Sequence, residues 1–444
     1  MEKDLNNKFG PIQLAPGISR FNVITYFYAC FICIGVLAGM NFIQGYILTE
    51  NLAIPKSNQG TISGDLAFIQ EIIAILFVAF FGILADRIGR RSVMVFGTVV
   101  SAIGFALYPF ATSTGELFAY RALFALGAAA LASTIAIIVN DYPKEQSRAK
   151  FISMHSVLNA LGVAVFAFIL GQLPKYFTNN GLDPVTSGRY TMIIVGIVFL
   201  ISGLIFQLGL KGGTPEKLSQ KPSVKELVTV GIQSFKNPRI ALSFGTTFLA
   251  RADVSVNGIF ISLWAIQSGA MMGLSAADSI QLVVRVIVVT NLVSIVWAFI
   301  FGAMLDRINR VSGMIVAMTL GTIAYGSMAL IDSPLNYSNL PFFILVSCSA
   351  IGTVIATSSL IGQEAPAKQR GSIIGISTLF GAIGILTATA LGGRLFDQLG
   401  PSGPFLFICG MHSVLLLATI IVRIRAPGML FQSKLQPDEV HIND

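Results

Sequence analysis

Gly82-Ile83-Leu84-Ala85-Asp86-Arg87-Ile88-Gly89-Arg90-Arg91 is a short charged stretch between two apolar runs, each long enough to cross a bilayer. A related stretch, Gly302-Ala303-Met304-Leu305-Asp306-Arg307-Ile308-Asn309-Arg310, begins 220 positions after Gly82, between two further apolar runs. Each has a glycine, an aspartate four residues on, then an arginine, and another arginine three or four residues later. The second copy is degraded, with Asn309 where Gly89 stands and Val311 where Arg91 stands. The chain is therefore written twice, with a basic loop between the copies.

The surroundings of these stretches set the class. Hydrophobic residues make up 54% of the chain and charged residues 11%, where a soluble domain carries roughly 25% charged residues. A chain of 444 residues with repeated apolar runs reads as a polytopic membrane protein whose partner along its length is the lipid bilayer. Twelve spans are expected at roughly 21–48, 63–84, 91–112, 116–140, 151–172, 190–210, 240–266, 280–304, 311–331, 341–362, 371–393 and 402–424. All should be α-helical, since a helix satisfies its own backbone hydrogen bonds in lipid. The runs lack the alternation of a transmembrane β-barrel. The expected organisation is a terminal segment (1–20), a six-helix bundle (21–210), a linker (211–239), a second six-helix bundle (240–425) and a tail (426–444).

Lysine and arginine give the orientation. With the amino terminus inside, 22 of them fall in inside segments, and only Lys56, Lys175, Arg189 and Arg394 fall outside. Both termini are thus expected in the cytosol. The net charge of +8 is explained by these loops and implies no nucleic acid. The first 20 residues lack the apolar core of a cleavable signal peptide. Residues Pro222 to Phe235 in the linker, with Val224, Leu227, Val228 and Ile232, have the look of a surface helix. Cys30, Cys33, Cys348 and Cys409 lie in apolar spans without metal-site grouping and read as packing residues. No metal, cofactor or catalytic constellation stands out, so an enzyme is not expected.

The doubled stretch resembles the signature after the second helix of the major facilitator superfamily (MFS) of secondary transporters. Asp141-Tyr142-Pro143-Lys144-Glu145-Gln146-Ser147-Arg148-Ala149 and Glu364-Ala365-Pro366-Ala367-Lys368-Gln369-Arg370-Gly371 resemble that family's loops after the fourth and tenth helices. The resemblance runs from about Arg20 to Arg425. It implies two pseudo-symmetric six-helix bundles with a small-molecule substrate held between them near mid-membrane. It also implies a latch on the cytosolic side. Gly82 admits a neighbouring helix. Asp86 faces the amino-terminal end of the eleventh helix, about Arg370-Gly371-Ser372, and Arg87, Arg90 or Arg91 pairs with Asp141. Asp306 and Arg310 would form the weaker counterpart. The competing explanation is that these arginines only set topology.

Charges within the spans are costly and mark candidate sites. They are Asp65, Glu71, Arg121, Arg251, Asp253 and Arg285. At 1.5 Å per helical residue, Glu71 lies about 16 Å and Asp65 about 25 Å from Gly82, and Arg121 lies about 30 Å from Asp141. Asp253 lies about 22 Å from Pro238, and Arg285 about 25 Å from Gly302. Depth alone suggests the pairs Asp65–Arg121 and Asp253–Arg285, leaving Glu71 and Arg251 without an obvious partner. A lone guanidinium is a natural anchor for a carboxylate or phosphate. A lone carboxyl in low dielectric is a natural proton carrier. The expected substrate contacts are Arg251, Asp253, Arg285, Asn257, Asn41, Gln44 and Arg121, and the expected proton sites are Glu71 and then Asp253. Arg121 also resembles the fourth-helix arginine that the family ties to proton coupling. Asn291 adds polarity, and Trp264 and Tyr46 offer aromatic walls. The plainer explanation for each is helix–helix packing. His155 and His412 are expected to pack.

These features point to a monomeric, proton-coupled carrier of a small organic anion in a cell membrane, such as a bacterial inner membrane, by symport or antiport. A proton-driven efflux carrier for drug-like compounds or siderophores is the rival. The Gly-Pro motif of drug antiporters is absent from the fifth span, which weighs against it. A non-transporting nutrient receptor would want a larger cytosolic tail.

Overall fold

Each apolar run folds as a helix, and several of the helices start on a polar cap. The computed structural model describes residues 8–213, 229, 233–366 and 369–428. Among the described residues twelve helices are long and apolar enough to cross a membrane. They are α1 (Arg20–Tyr46), α2 (Lys56–Ile88), α3 (Arg90–Leu107), α4 (Thr114–Asp141), α5 (Arg148–Asn179), α6 (Pro184–Gly209), α7 (Pro238–Met271), α8 (Ala276–Arg307), α9 (Arg310–Ser327), α10 (Leu340–Glu364), α11 (Arg370–Leu399) and α12 (Gly403–Arg425). The first turn of a helix has amides with no helical acceptor. Ser19, Ser113, Asp183 and Ser275 accept from such amides at the starts of α1, α4, α6 and α8.

The number and order of spans match the expectation, but the helices overrun it. Helix α2 starts at Lys56 and α11 continues to Leu399. An apolar run reports the lipid-facing length, whereas the helix continues wherever a neighbour or a cap receives its end. The segment before α1 pairs Lys8–Phe9 with Ile12–Gln13 as a small antiparallel ladder, and Leu14 bridges to Pro143. The linker residues Val224, Leu227, Val228 and Ile232, with Lys217, Lys221 and Lys225, lie outside the described residues, as do Lys368 and the tail from residue 429.

Packing repeats with a six-helix offset. Helix α1 packs on α5 as α7 packs on α11; α2 and α3 pack on α4 as α8 and α9 pack on α10; α3 packs on α6 as α9 packs on α12. The two halves meet along α2–α11, α5–α8 and α1–α7. Below, the terminal end of the molecule is the one with Arg20 and Arg425, and the far end is opposite. Two glycines at matching places set the spacing within the halves. A Cβ on Gly162 would lie 2.0 Å from the Phe31 carbonyl oxygen, and one on Gly384 would lie 2.1 Å from that of Phe248.

The two charged stretches are tight turns at the terminal end. Gly89 joins α2 to α3 at φ +94°, and a Cβ there would lie 2.8 Å from the Gly213 carbonyl oxygen. Only glycine suits both conditions. At the equivalent turn Asn309 has φ −60° and its side chain accepts from the Val311 and Ser312 amides. The second copy departs from the first because its turn uses a side-chain cap instead of a left-handed glycine.

Candidate functional site

The seam between the halves is closed at the far end. Gly60 and Gly64 let α2 lie directly on α11, since Cβ atoms there would fall 2.7 Å from the Gly393 oxygen and 2.2 Å from the Thr389 oxygen. The Asp397 carboxylate accepts from the Gly60 amide at 2.8 Å and the Thr61 amide at 2.7 Å. Arg394 pairs with Asp65 at 2.9 Å, and Lys175 on α5 pairs with Asp278 on α8 at 2.6 Å. Gln281 donates to Gln172, and Gln267 to Gln59 and to the Lys56 carbonyl. Between described residues, the hydrogen bonds and ion pairs that link the halves lie toward this end. A cavity of about 310 Å³ lies beside them, lined by Tyr46, Glu50, Lys175, Pro184, Ser275 and Asp278 among others.

At mid-depth the seam holds two charges, one from each half. Glu71 is half-buried near the middle of α2. Arg251, near the middle of α7, lays its stem against Gly381, where a Cβ would fall 2.7 Å from Arg251 Cγ. Its guanidinium is exposed and acts electrostatically on Glu71 without a direct ion pair. The two groups left without a partner by depth alone thus come one from each half, with no ion pair between them. Arg285 is exposed on α8, one turn from Gln281.

Both expected ion pairs are replaced by others. Asp65 turns from Arg121 to Arg394 in the other half. Arg121 is fully buried within the first half. It donates to Asn41, has the Phe124 ring at 5.8 Å, and leaves Nε and Nη1 without a hydrogen-bond partner. Tyr108 alongside donates to Gln44. Asp253, also fully buried, pairs with His412 rather than Arg285, with carboxylate oxygens 3.2 and 3.3 Å from Nε2. The Tyr325 ring stacks on His412 at 5.3 Å, and the Asn257 amide donates to the Tyr325 hydroxyl at 3.1 Å. The reason is angular. Successive helical residues turn by about 100°, so Arg251 and Asp253 point to different faces. Arg251 faces the seam, while Asp253 and Asn257 face α9 and α12. Equal depth on two helices does not make two charges neighbours.

Other expected contacts also have structural partners. Tyr46 donates to the Pro184 carbonyl, Trp264 packs with Phe343 and Phe405, and Asn291 donates to the Ile287 carbonyl of its own helix. His155 meets the Tyr26 hydroxyl, Cys30 and Asn159. Among the described residues no cluster of three His, Cys, Asp or Glu could hold a metal.

At the terminal end, Gly82 is buried, and Arg90 joins Asp86 at 3.5 Å to Asp141 at 2.8 Å. Arg310 joins Asp306 at 3.0 Å. Arg87 is exposed, and Arg91 lies beside Gly212. Helix α11 starts at Arg370, and its cap residue Gln369 makes no side-chain capping bond.

The sequence alone marks neither Asp397 nor Tyr325, gives His412 only a packing role, and gives Arg394 only the role of an outside charge. Arg394 follows the Gly392-Gly393 pair directly and Asp397 follows it by one turn, and that combination of close approach and charge is a usable signal. His412 is 159 positions from Asp253 and has no local signature.

The family model described as Major Facilitator Superfamily matches residues 26–389. The chain is 25% identical over 376 residues to "Magnetosome protein MamH" of Paramagnetospirillum magneticum, covering 82% of this chain and 84% of that one. It is 22% identical over 355 residues to "Multi-drug resistance efflux pump PmrA" of Streptococcus pneumoniae, covering 78% and 84%. The nucleoside transporter NupG shares its fold, with a TM-score of 0.72 at 14% identity over 90% of this chain and 98% of that one.

Proposed function

This chain belongs to the Major Facilitator Superfamily of multi-pass membrane transporters, and we propose that it carries a small organic anion by alternating access, coupled to protons. The observation that carries the reading is the placement of Glu71 near the middle of α2 and Arg251 near the middle of α7, one from each half, with no ion pair between them. Charges in the middle of spans are retained at a cost, and a pair split between moving halves changes its separation as they rock. Arg251 offers an anion the two-pronged contact that a guanidinium makes with carboxylate or phosphate. Arg285 adds a second exposed cation on the seam. An anion on Arg251 takes the cation away from Glu71, and a proton on Glu71 replaces it. Anion and proton then cross together.

The lysine and arginine excess supports a cytosolic terminal end. With the far end sealed, the arrangement is inward-facing. The bacterial relatives favour a bacterial inner membrane.

The test uses proteoliposomes with an imposed pH gradient. Glu71→Gln mimics the protonated carboxyl. It should keep substrate exchange across the membrane and lose gradient-driven accumulation. Full accumulation by Glu71→Gln, together with loss in Asp253→Asn, would transfer the proton role to Asp253. Wild-type uptake indifferent to pH would remove proton coupling.

The likeness to a multidrug efflux pump favours a second reading, export of drug-like compounds. On that reading, dyes and cationic drugs would leave loaded vesicles in a pH-driven manner, and Arg251→Ala would leave their export intact.

A further inference from the structure

We infer that Asp397 is the carboxylate of a second latch, at the far end, which alternates with the one expected through Asp86. Helix α2 runs from the far end to the terminal end, and α11 runs the opposite way. The last turns of α11 therefore lie on the first turns of α2, and Asp397 accepts from two consecutive amides there, at 2.8 and 2.7 Å. Gly60 and Thr61 lie in the second turn of α2, beside the partial positive charge of its start, which suits a carboxylate. Gly60 makes the approach possible, since a Cβ on it would lie 2.5 Å from Asp397 Oδ1. One turn back, Arg394 fastens the same two helices through Asp65.

At the terminal end the same two helices exchange roles. Asp86 ends α2, and α11 starts at Arg370 without a side-chain cap from Gln369. Two stiff helices that rock about one crossing cannot close at both ends. Asp397 and Asp86 are positioning residues that favour opposite states of the cycle. The inference rests on the alternating-access reading.

The test is labelling of single cysteines by a membrane-impermeant maleimide, in a full-length chain whose four natural cysteines are replaced by alanine. Ile266→Cys reports the far end, where Ile266 is buried against Gly45. Val157→Cys reports the terminal end, where Val157 is exposed on α5. No substrate is added, so failure of the transport reading would show in uptake and not here. Asp397→Asn loses a charge-assisted contact to two amides and should raise labelling at Ile266→Cys by about tenfold or more while lowering it at Val157→Cys. Asp86→Asn should shift both in the opposite sense, and the double variant should return toward the parent. Parental labelling in a monodisperse Asp397→Asn protein overturns the inference, as does a double variant that labels like Asp397→Asn alone. If Asp397→Asn does not fold, Arg394→Gln serves in its place. It should shift labelling in the same direction, and unchanged labelling overturns the inference.

Discussion

Replacing His412 with leucine should destabilise the protein by about 2–4 kcal/mol, through Asp253 and not through lost packing. Both side chains are 0% exposed, and both carboxylate oxygens face the same ring nitrogen. The leucine fills much of the space of the ring, so the transfer and cavity contributions are small. What remains is a buried carboxylate stripped of its partner, which in buried hydrogen-bonded pairs costs several kcal/mol. The assay is thermal or denaturant unfolding in detergent, as a double-mutant cycle. His412→Leu alone should be strongly destabilised, and Asp253→Asn with His412→Leu should recover at least about half of the loss, because a neutral amide tolerates burial better than a lone charge. Arg285→Gln, the control for the pair expected from depth, should stay within about 0.5 kcal/mol of wild type. Strict additivity of the two changes, or a large effect of Arg285→Gln, would refute the assignment.

Gly321→Ala should lower stability by a route shared with His412→Leu, since its methyl would lie 2.1 Å from His412 Nδ1. Combining the two should cost less than their sum, as read by the same unfolding assay. Gly89→Ala should lower stability by about 1–3 kcal/mol, because it combines a left-handed backbone with a contact 2.8 Å from Gly213; an unshifted melting temperature would contradict this. Asp86→Asn should lower transport with near-normal expression, and wild-type transport would remove its role in closing the terminal end.

Much of the fold was legible because it is written in local pattern. The apolar runs, the 220-residue repeat and the turn at Gly82–Arg91 each carry their meaning within a few residues. Even the defect of the second copy became intelligible, as Asn309 caps the turn that Gly89 makes by a left-handed bend. The six intramembrane charges were visible too, and their depths were usable. Their directions were not. A helix one residue out of phase turns a side chain by about 100°, so Asp65 could face α4 or α11 at the same depth. Pairing at long range adds to this. The choice of His412 by Asp253, or of the first turns of α2 by Asp397, depends on how helices 159 and 337 positions apart in sequence are arranged around one another. Glu71 and Arg251 were singled out because nothing near them in sequence or at their depth explained them.

The central claim, that Arg251 holds the solute's anionic group, is tested most directly by ligand-induced thermal stabilisation of the purified protein. Wild type and Arg251→Ala are measured side by side against small carboxylates, phosphates, sugars, amino acids and dyes. The account predicts that one or more small anions raise the melting temperature of wild type, that Arg251→Ala loses this response, and that Arg251→Lys recovers only part of it. Stabilisation by neutral or cationic compounds alone, equal in wild type and Arg251→Ala, would contradict it.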